Sequence, residues 1–547
     1  MYCFLQLCDS PSPGRGLPDS KLLPGNDMLE FDLTKTCQWL LVATAVWHIN
    51  AWGANRPNLL LIVTDNQSPG LLGAYGNEDI LTPNIDRLAD EGLLFAQAYA
   101  TSGVCSPTRA TLLTGLLPSQ TGVHNGLPGR FKVTNWSAIE EFRNLPQTLA
   151  DAGYRTGMVG KYHLGDHARA QLGFGFWATF RAGHTESFVD VEVTDNGKTV
   201  NVADLDMHIT DYWTQRSVDF VEQQTAEQPF FLMVSYNGPY ILPPTVNEPP
   251  NNRYAEYYTA NPPTMPQYPV HPYLREWAKA MRMKVNVTGG NYAWAAIDAL
   301  NNQQAMNTIA AEMSMVDDGI GAILNALEES DLADDTLVVF LSDQGSAYGQ
   351  LGLWGNSSWG APAPAYRANM QIPLIFRHPD KIPDGETNAL LIDEFDLFPT
   401  LLDYLGLGDL EIANTPGRSF APALHGEEID WEDTVFFEYI DTRVIQTRNW
   451  KYIKRFLAAP DELYDLIRDP DETHNLADDP KHELIVQDLA EQLFVFFNKY
   501  ADPQYDIWRG GTAKATLFYG GRNRRIADHF PGWTQPITEK TTPFRDR

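Results

Sequence analysis

Cysteine is scarce in this sequence, and positive charge is outnumbered. Four cysteines occur in 547 residues: Cys3, Cys8, Cys37 and Cys105. The first three precede the point where the globular pattern begins, so the folded part carries one thiol and forms no internal disulfide. Lys and Arg number 40 against 70 Asp and Glu, a formal net charge of −30. A chain this acidic is repelled at long range by nucleic acid and by anionic membranes, so any anionic substrate needs a locally cationic pocket. Long apolar runs are also missing. The run Trp39–Trp47 is too short to span a bilayer, and no later stretch reads as a membrane span. Preceded by Lys35 and followed by small residues at Ala51, Gly53 and Ala54, it reads as a signal peptide with translation starting at Met28. The alternative is a buried apolar segment. Residues 1–54 are thus expected to be an N-terminal extension, and the protein to be exported, periplasmic or secreted.

What is present is a large core. Hydrophobic residues make up 43% and charged residues 20%, which argues against disorder over most of the chain. From Asn58 onward, short continuous apolar runs end in polar residues: Asn58–Thr64 at Asp65, Pro229–Ser235 at Asn237, Thr336–Ser342 at Asp343. Runs that do not alternate imply strands covered on both faces, hence an α/β fold with a large, mostly parallel sheet sandwiched by helices. Ligands in such folds gather beyond the carboxyl ends of the strands, where these polar residues lie. Past about 430, alternating segments such as Val435–Tyr439 and Val444–Thr447 predict a smaller α+β subdomain. The expected division is 55–430 for the catalytic part and 431–547 for the C-terminal part. A Pro- and Tyr-rich stretch within 185–300 is expected to roof the site, with Trp213, Tyr254, Tyr257, Tyr258, Tyr268 and Trp277 either stacking on sugar rings or forming a private core.

Two segments carry the chemistry. In Cys105-Ser-Pro-Thr-Arg109, the proline and the following helical spacing place Cys105 at a helix N-terminus, with Arg109 one turn on; the plainer reading is a small buried residue before a helix. In Gly157-Met-Val-Gly-Lys161-Tyr-His163-Leu-Gly165, a strand runs into a Lys-x-His whose side chains share one face. Asp65-Asn66 and Asp343-Gln344 end two strands and offer hard oxygens suited to Ca²⁺ or Mg²⁺; such pairs are otherwise ordinary strand-end turns.

Together these segments resemble the formylglycine-dependent (type I) sulfatases of the alkaline-phosphatase superfamily, and the resemblance covers nearly the whole chain after Arg56. It implies that Cys105 is oxidised to formylglycine by a formylglycine-generating or anaerobic sulfatase-maturating enzyme. A hydroxyl of the hydrated aldehyde then attacks sulfur, and loss of the other proton releases sulfate. It implies a Ca²⁺ (or Mg²⁺) site from Asp65, Asn66, Asp343, Gln344 and position 105. Arg109 and Lys161 would hold diol and sulfate, and His163 would take the diol proton. The implied substrate is a sulfate monoester on a carbohydrate.

This sequence departs from the family pattern at two leaving-group donors. The usual His after Asn-x-Pro is Tyr240, and the usual Lys after Gly-x-Trp-Gly is Asn356. Tyr240 and Asn356 are expected to occupy those places, with His184, His271 or Arg367 supplying the acid. Two other functions stay open: a phosphodiester or phosphonate hydrolase on the same scaffold, and a catalytically dead glycan-binding protein.

Overall fold

The computed structural model describes residues 56–127, 136–183, 187–240, 251–282, 290–456, 459–515 and 517. The N-terminal extension with its signal-peptide reading, and His184, lie outside the described residues. No helix among those described is long and apolar enough to cross a membrane.

The strand Asn58–Asp65 sits at the centre of an eleven-stranded sheet, parallel to Phe230–Pro239 on one side and Thr336–Ser342 on the other. Outward from Phe230–Pro239 come the parallel strands Arg155–Gly160 and Phe176–Phe180, then two antiparallel edge strands. On the opposite side Leu374–Arg377 and Leu93–Tyr99 run antiparallel, and Glu386–Asp393 returns parallel.

The apolar runs do not alternate because both sheet faces are buried. Leu59, Leu61 and Val63 point into one core, where Ala110, Leu113, Leu149, Phe398 and Leu401 come from helices on that face. Leu60 and Ile62 point into the other, filled by Ile309, Met313, Val316 and Ile320 of the long helix Gln303–Glu329. The expected α/β sandwich is what the chain adopts. Each of these strand residues is essentially inaccessible. Full burial stabilises by roughly 1.5–3 kcal/mol per large aliphatic side chain, which is why the sheet rather than any loop fixes the positions of its terminal residues.

Near the C-terminus, Thr434–Tyr439, Thr442–Thr447, Trp450–Arg455 and Glu462–Asp465 form a four-stranded antiparallel sheet, backed by the helix Glu483–Tyr500. It is tied to the segment before Cys105, for the Glu438 N–H donates to the Thr101 carbonyl at 2.9 Å. Glu438 also accepts the Ser119 N–H at 2.5 Å.

The Pro/Tyr-rich stretch divides its aromatics. Tyr258 meets Ser314 Oγ at 2.6 Å and Tyr254 donates to Asp318 at 2.7 Å, so both pack onto the long helix. Trp213 is core, donating to Asn237. Trp277 instead stacks on Trp359, at 5.8 Å and 6°.

Candidate active site

The parallel register builds the site. Thr64 lies opposite Ser342, so the two central strands deliver Asp65 and Asp343 at the same edge. Asn66 then takes a left-handed turn (φ 60), which its short polar side chain tolerates, and its N–H meets Asp343 Oδ1 at 3.1 Å. One strand further, Gly160 has φ 103, and a Cβ there would lie 2.0 Å from the Ser235 carbonyl oxygen. Only glycine lets the chain pass that carbonyl, which accepts the Lys161 N–H at 2.8 Å and so sends Lys161 under the sheet edge.

Cys105 opens the helix Cys105–Thr114, all ten of whose residues are buried. Its Sγ is 3.2 Å from Lys161 Nζ, 3.3 Å from Gln344 Nε2 and 3.4 Å from Asp65 Oδ1. Lys161 Nζ also meets Asp65 Oδ2 at 2.5 Å. Burial pushes the thiol up to about 12, and Asp65 adds to the shift against the pull of Lys161. The cysteine as encoded is therefore a protonated, inert thiol rather than a nucleophile. Burial works most strongly against the Lys161 ammonium, but Asp65, Cys105 and Asp343 together outweigh it, so the group is pushed up and stays charged.

Arg109 is fully buried. Its Nε and Nη2 reach Asp343 Oδ2 at 3.0 and 2.7 Å, while Nη1 donates to the Lys161 carbonyl and to Ser235 Oγ, both at 2.5 Å. It holds Asp343 and the Lys161 backbone in place. Asp343 is pushed up to about 6 by burial and by Asp65, with Arg109 and Lys161 pulling it down.

An amide cluster closes one side. Gln344 Nε2 and Asn356 Nδ2 both donate to Asn66 Oδ1, the latter at 3.0 Å. Thr108 Oγ1 donates to Gln344 Oε1 at 3.2 Å, and Tyr348 O–H donates to the Asn66 carbonyl. On another side the Tyr240 ring lies 5.5 Å from Lys161 Nζ and 6.3 Å from the Trp359 ring.

The donor set fits a hard divalent cation. Asp65, Cys105 and Asp343 bring one ligand atom each within 4.8 Å of one another, all buried. Two ionised carboxylates are balanced by Lys161 and Arg109, so an added dication leaves the centre positive and ready for an anion. The Gln344 amide presents its N–H₂ end here, so it must turn over to offer oxygen.

His163 Nε2 lies 2.8 Å from the Leu127 carbonyl, and its own carbonyl accepts Ser106 Oγ at 2.8 Å. That fixes the ring beneath the cysteine helix, with Nε2 as the protonated nitrogen. His271 and Arg367 lie apart from the hydrogen bonds around Cys105. His271 Nδ1 accepts the Tyr273 N–H at 3.1 Å, and burial lowers the imidazole to about 4, which makes it an acceptor at neutral pH. Arg367 donates from Nε to Gln371 at 2.7 Å and lines a separate cavity of about 400 Å³ with Gln97 and Arg448.

Ser235, Trp359, Tyr348 and the acids under Thr101 escaped the sequence reading. Ser235 alone had a signal, as the polar end of an apolar run. Thr101, at the start of the segment that leads into Cys105, donates its N–H to Glu394 Oε2 at 3.2 Å and its hydroxyl to Asp393 Oδ1 at 2.5 Å. Burial holds both carboxyls well above the usual carboxylate range, and pushes Asp396 up to about 7.

Folded-state values raised above unfolded ones of about 4 mean that these groups stabilise the fold at low pH. That contribution is lost as pH rises through their folded values. Glu394→Gln removes one of them, so between about pH 5 and pH 8 its melting temperature should fall less steeply than that of the wild type. Parallel melting curves would show instead that Glu394 is already ionised in the fold.

Fixed positive charge from Lys161 and Arg109 and hard oxygens from Asp65 and Asp343 thus meet at one sheet edge around the cysteine that opens a buried helix, an arrangement suited to a cation and an oxyanion together. The chain belongs to the sulfatase family, whose model matches residues 57–407. A second model, N-sulphoglucosamine sulphohydrolase, C-terminal, matches residues 358–499. The N-acetylglucosamine-6-O-sulfatase of Bacteroides thetaiotaomicron is 25% identical, covering 87% of this chain and 91% of its own. An uncharacterized sulfatase of Escherichia coli is 30% identical over 82% of this chain and 88% of its own. A solved structure of a protein in complex with its substrate D-glucosamine-2-N,6-O-disulfate superposes with a TM-score of 0.66 at 23% identity, covering 82% of this chain and 98% of that one. The protein is an enzyme, a sulfatase.

Proposed function

We propose that the enzyme hydrolyses a sulfate ester of a sulfated saccharide of glycosaminoglycan type, with Cys105 converted to formylglycine and a divalent cation bound beside it. The observation that carries this reading is the setting of Cys105: a buried sulfur on the first residue of a helix, 3.2 Å from Lys161 Nζ, 3.3 Å from Gln344 Nε2 and 3.4 Å from Asp65 Oδ1. The same position as a hydrated aldehyde supplies an attacking hydroxyl and a route for sulfate release.

Asp65, Asn66, Asp343 and Gln344 would hold calcium or magnesium, which when bound supplies Lewis-acid stabilisation of sulfate charge. Lys161, 3.2 Å from the position-105 side chain, holds the reacting oxygen and one sulfate oxygen. Arg109 keeps Asp343 aimed. His163, whose carbonyl accepts the hydroxyl of Ser106 next to position 105 and whose Nε2 is held by Leu127, would accept the diol proton at Nδ1. Tyr240 and Asn356 face the leaving group, with Tyr240 packed edge-on against Trp359, which in turn stacks on Trp277. Tyr240→Phe and Asn356→Ala should both slow turnover; if both leave it at wild-type level, the leaving group departs elsewhere. The described residues within 55–430 carry this centre, and those of the C-terminal sheet and helix, within 434–500, brace it as the C-terminal subdomain. The relatives' names support a glycan-degrading role; a periplasmic or secreted location would follow from the signal-peptide reading of the sequence.

Three measurements test the reading. Mass spectrometry of the tryptic peptide around Cys105, after co-expression with a maturating enzyme, should find it about 18 Da lighter. Faster cleavage of an aryl phosphodiester than of an aryl sulfate would overturn the choice of ester. Gln344→Asp, which replaces the amide that must turn over by a carboxylate, should tighten Ca²⁺ about ten-fold or more in calorimetry.

A further inference from the structure

Four cations of this acidic chain converge on one cavity far from the cysteine helix in sequence. The cavity holds about 810 Å³ and lies between the four-stranded sheet, the helix Glu483–Tyr500 and the turn at Trp508. Arg443, Lys454, Arg455 and Arg509 line it, with aromatic rings between them.

The rings give flat faces. Phe456 and Trp508 meet at 5.0 Å and 47°. The Arg443 guanidinium lies 3.9 Å over Phe497 and 4.6 Å over Trp508. Phe494, at the rim, is 60% exposed. An aromatic residue left in water beside a ring-lined cavity marks a surface that binds something.

Each cation is held from the side by an acid: Arg443 by Asp506 (2.8 Å) and Glu438 (3.2 Å), Arg455 by Glu462 (2.6 Å), Lys454 by Asp461 (2.7 Å), Arg509 by Asp506 (3.3 Å). Of these acids only Asp461 lines the cavity. Arg443 and Arg455 are buried and spend N–H groups on Glu438, Asp506, Glu462, Ala363 and Thr442, so they form a neutralised floor, while the partly exposed Lys454 and Arg509 present the N–H donors at the rim. That selects against a small, highly charged ion and for an extended ligand that sets a few anionic groups on apolar, ring-shaped faces.

The cavity is also wired to the catalytic side. Trp508 Nε1 donates to the Ile440 carbonyl at 2.7 Å, and the Phe456 N–H to the Asp441 carbonyl at 2.8 Å. The neighbouring Tyr439 O–H reaches Asn125 at 2.9 Å, two residues before the Leu127 that fixes His163. One turn, Ile440–Asp441, thus separates the aromatic faces from the segment under Cys105.

We propose that this cavity is a second saccharide-binding site, which takes another anionic sugar unit of the chain whose sulfate ester is cleaved at position 105. The proposal rests on the sulfated-saccharide reading of the substrate. It predicts a preference for oligosaccharides over monosaccharides that the catalytic pocket alone would not create.

The test is calorimetric titration of the full-length protein with a size-fractionated heparin hexasaccharide, comparing wild type with Lys454→Gln/Arg509→Gln and with Phe494→Ala. Wild type should bind, and each variant that keeps a wild-type melting temperature should bind at least about ten-fold more weakly. The rim substitutions are partly exposed, so they remain informative should Phe494→Ala misfold. Equal binding by wild type and variants overturns the assignment, as does no binding by wild type. A wild-type dimer that Phe494→Ala splits also overturns it, by making the cavity a contact between copies. Variant-sensitive hexasaccharide binding by protein that does not cleave 4-nitrophenyl sulfate would keep the cavity assignment and sink the catalytic reading instead.

Discussion

Cys105→Ala should lower turnover of an aryl sulfate by at least about 10⁴-fold while leaving the fold intact, because it removes the covalent route and no other side chain replaces it. The structural cost is small. The thiol makes only long contacts, of 3.2 to 3.4 Å, with Lys161, Gln344 and Asp65. Lys161 keeps its 2.5 Å partner Asp65 when the sulfur is gone, so neither buried charge is left alone. Melting temperature should therefore barely move. The informative comparison is wild-type protein made without a maturating enzyme. Its thiol, raised to about 12, should be as inactive as alanine. If the unmodified cysteine protein cleaves aryl sulfate at the rate of the matured one, the aldehyde is irrelevant and the proposed mechanism falls.

Arg109→Met should act the opposite way, on stability first. It strips Asp343 of a two-pronged partner at 2.7 and 3.0 Å inside a fully buried site, and frees the Lys161 carbonyl and Ser235 hydroxyl. Breaking one side of a buried ion pair costs roughly 3–5 kcal/mol, because the remaining charge keeps its desolvation penalty. In an Asp343→Asn background the same substitution should cost roughly 1–3 kcal/mol less, since no stranded carboxylate remains. Denaturant unfolding of the four proteins measures this coupling. Strict additivity would mean that Arg109 serves the fold by packing alone. Activity should be lost in all three variants of the cycle, as Asp343 is the aimed carboxylate of the proposed cation site.

Legibility followed the range of the physics. The strands were readable because a sheet buried on both faces demands unbroken apolar runs, and Leu59 to Val63 divide between two cores as that demands. The polar residues ending those runs were readable as a group at one sheet edge. Arg109 was legible as a buried cation of the site but not in its direction. One helical turn past Cys105 it is equally able to face a ligand or a neighbouring strand, and only the placement of Asp343 and Ser235 decides for the strand. His271 and Arg367 could not be sorted by sequence from groups that reach the site. Each is held by a local partner, Tyr273 and Gln371 respectively. Trp359 was invisible, because nothing in its own neighbourhood says that Tyr240 and Trp277 will stand beside it.

By itself the sequence determined the α/β class and the kinship, since each is written in local pattern: apolar run length, strand-end polarity, and two short signatures. The tertiary structure alone decided which charges pair. Lys161 belongs to Asp65 and Arg109 to Asp343, and Thr101 rests on the buried acids Asp393 and Glu394. Pairing of this kind depends on which chain ends the parallel register brings to one edge, and on the low-dielectric interior that makes each pairing strong. Neither is a property of any window of the sequence.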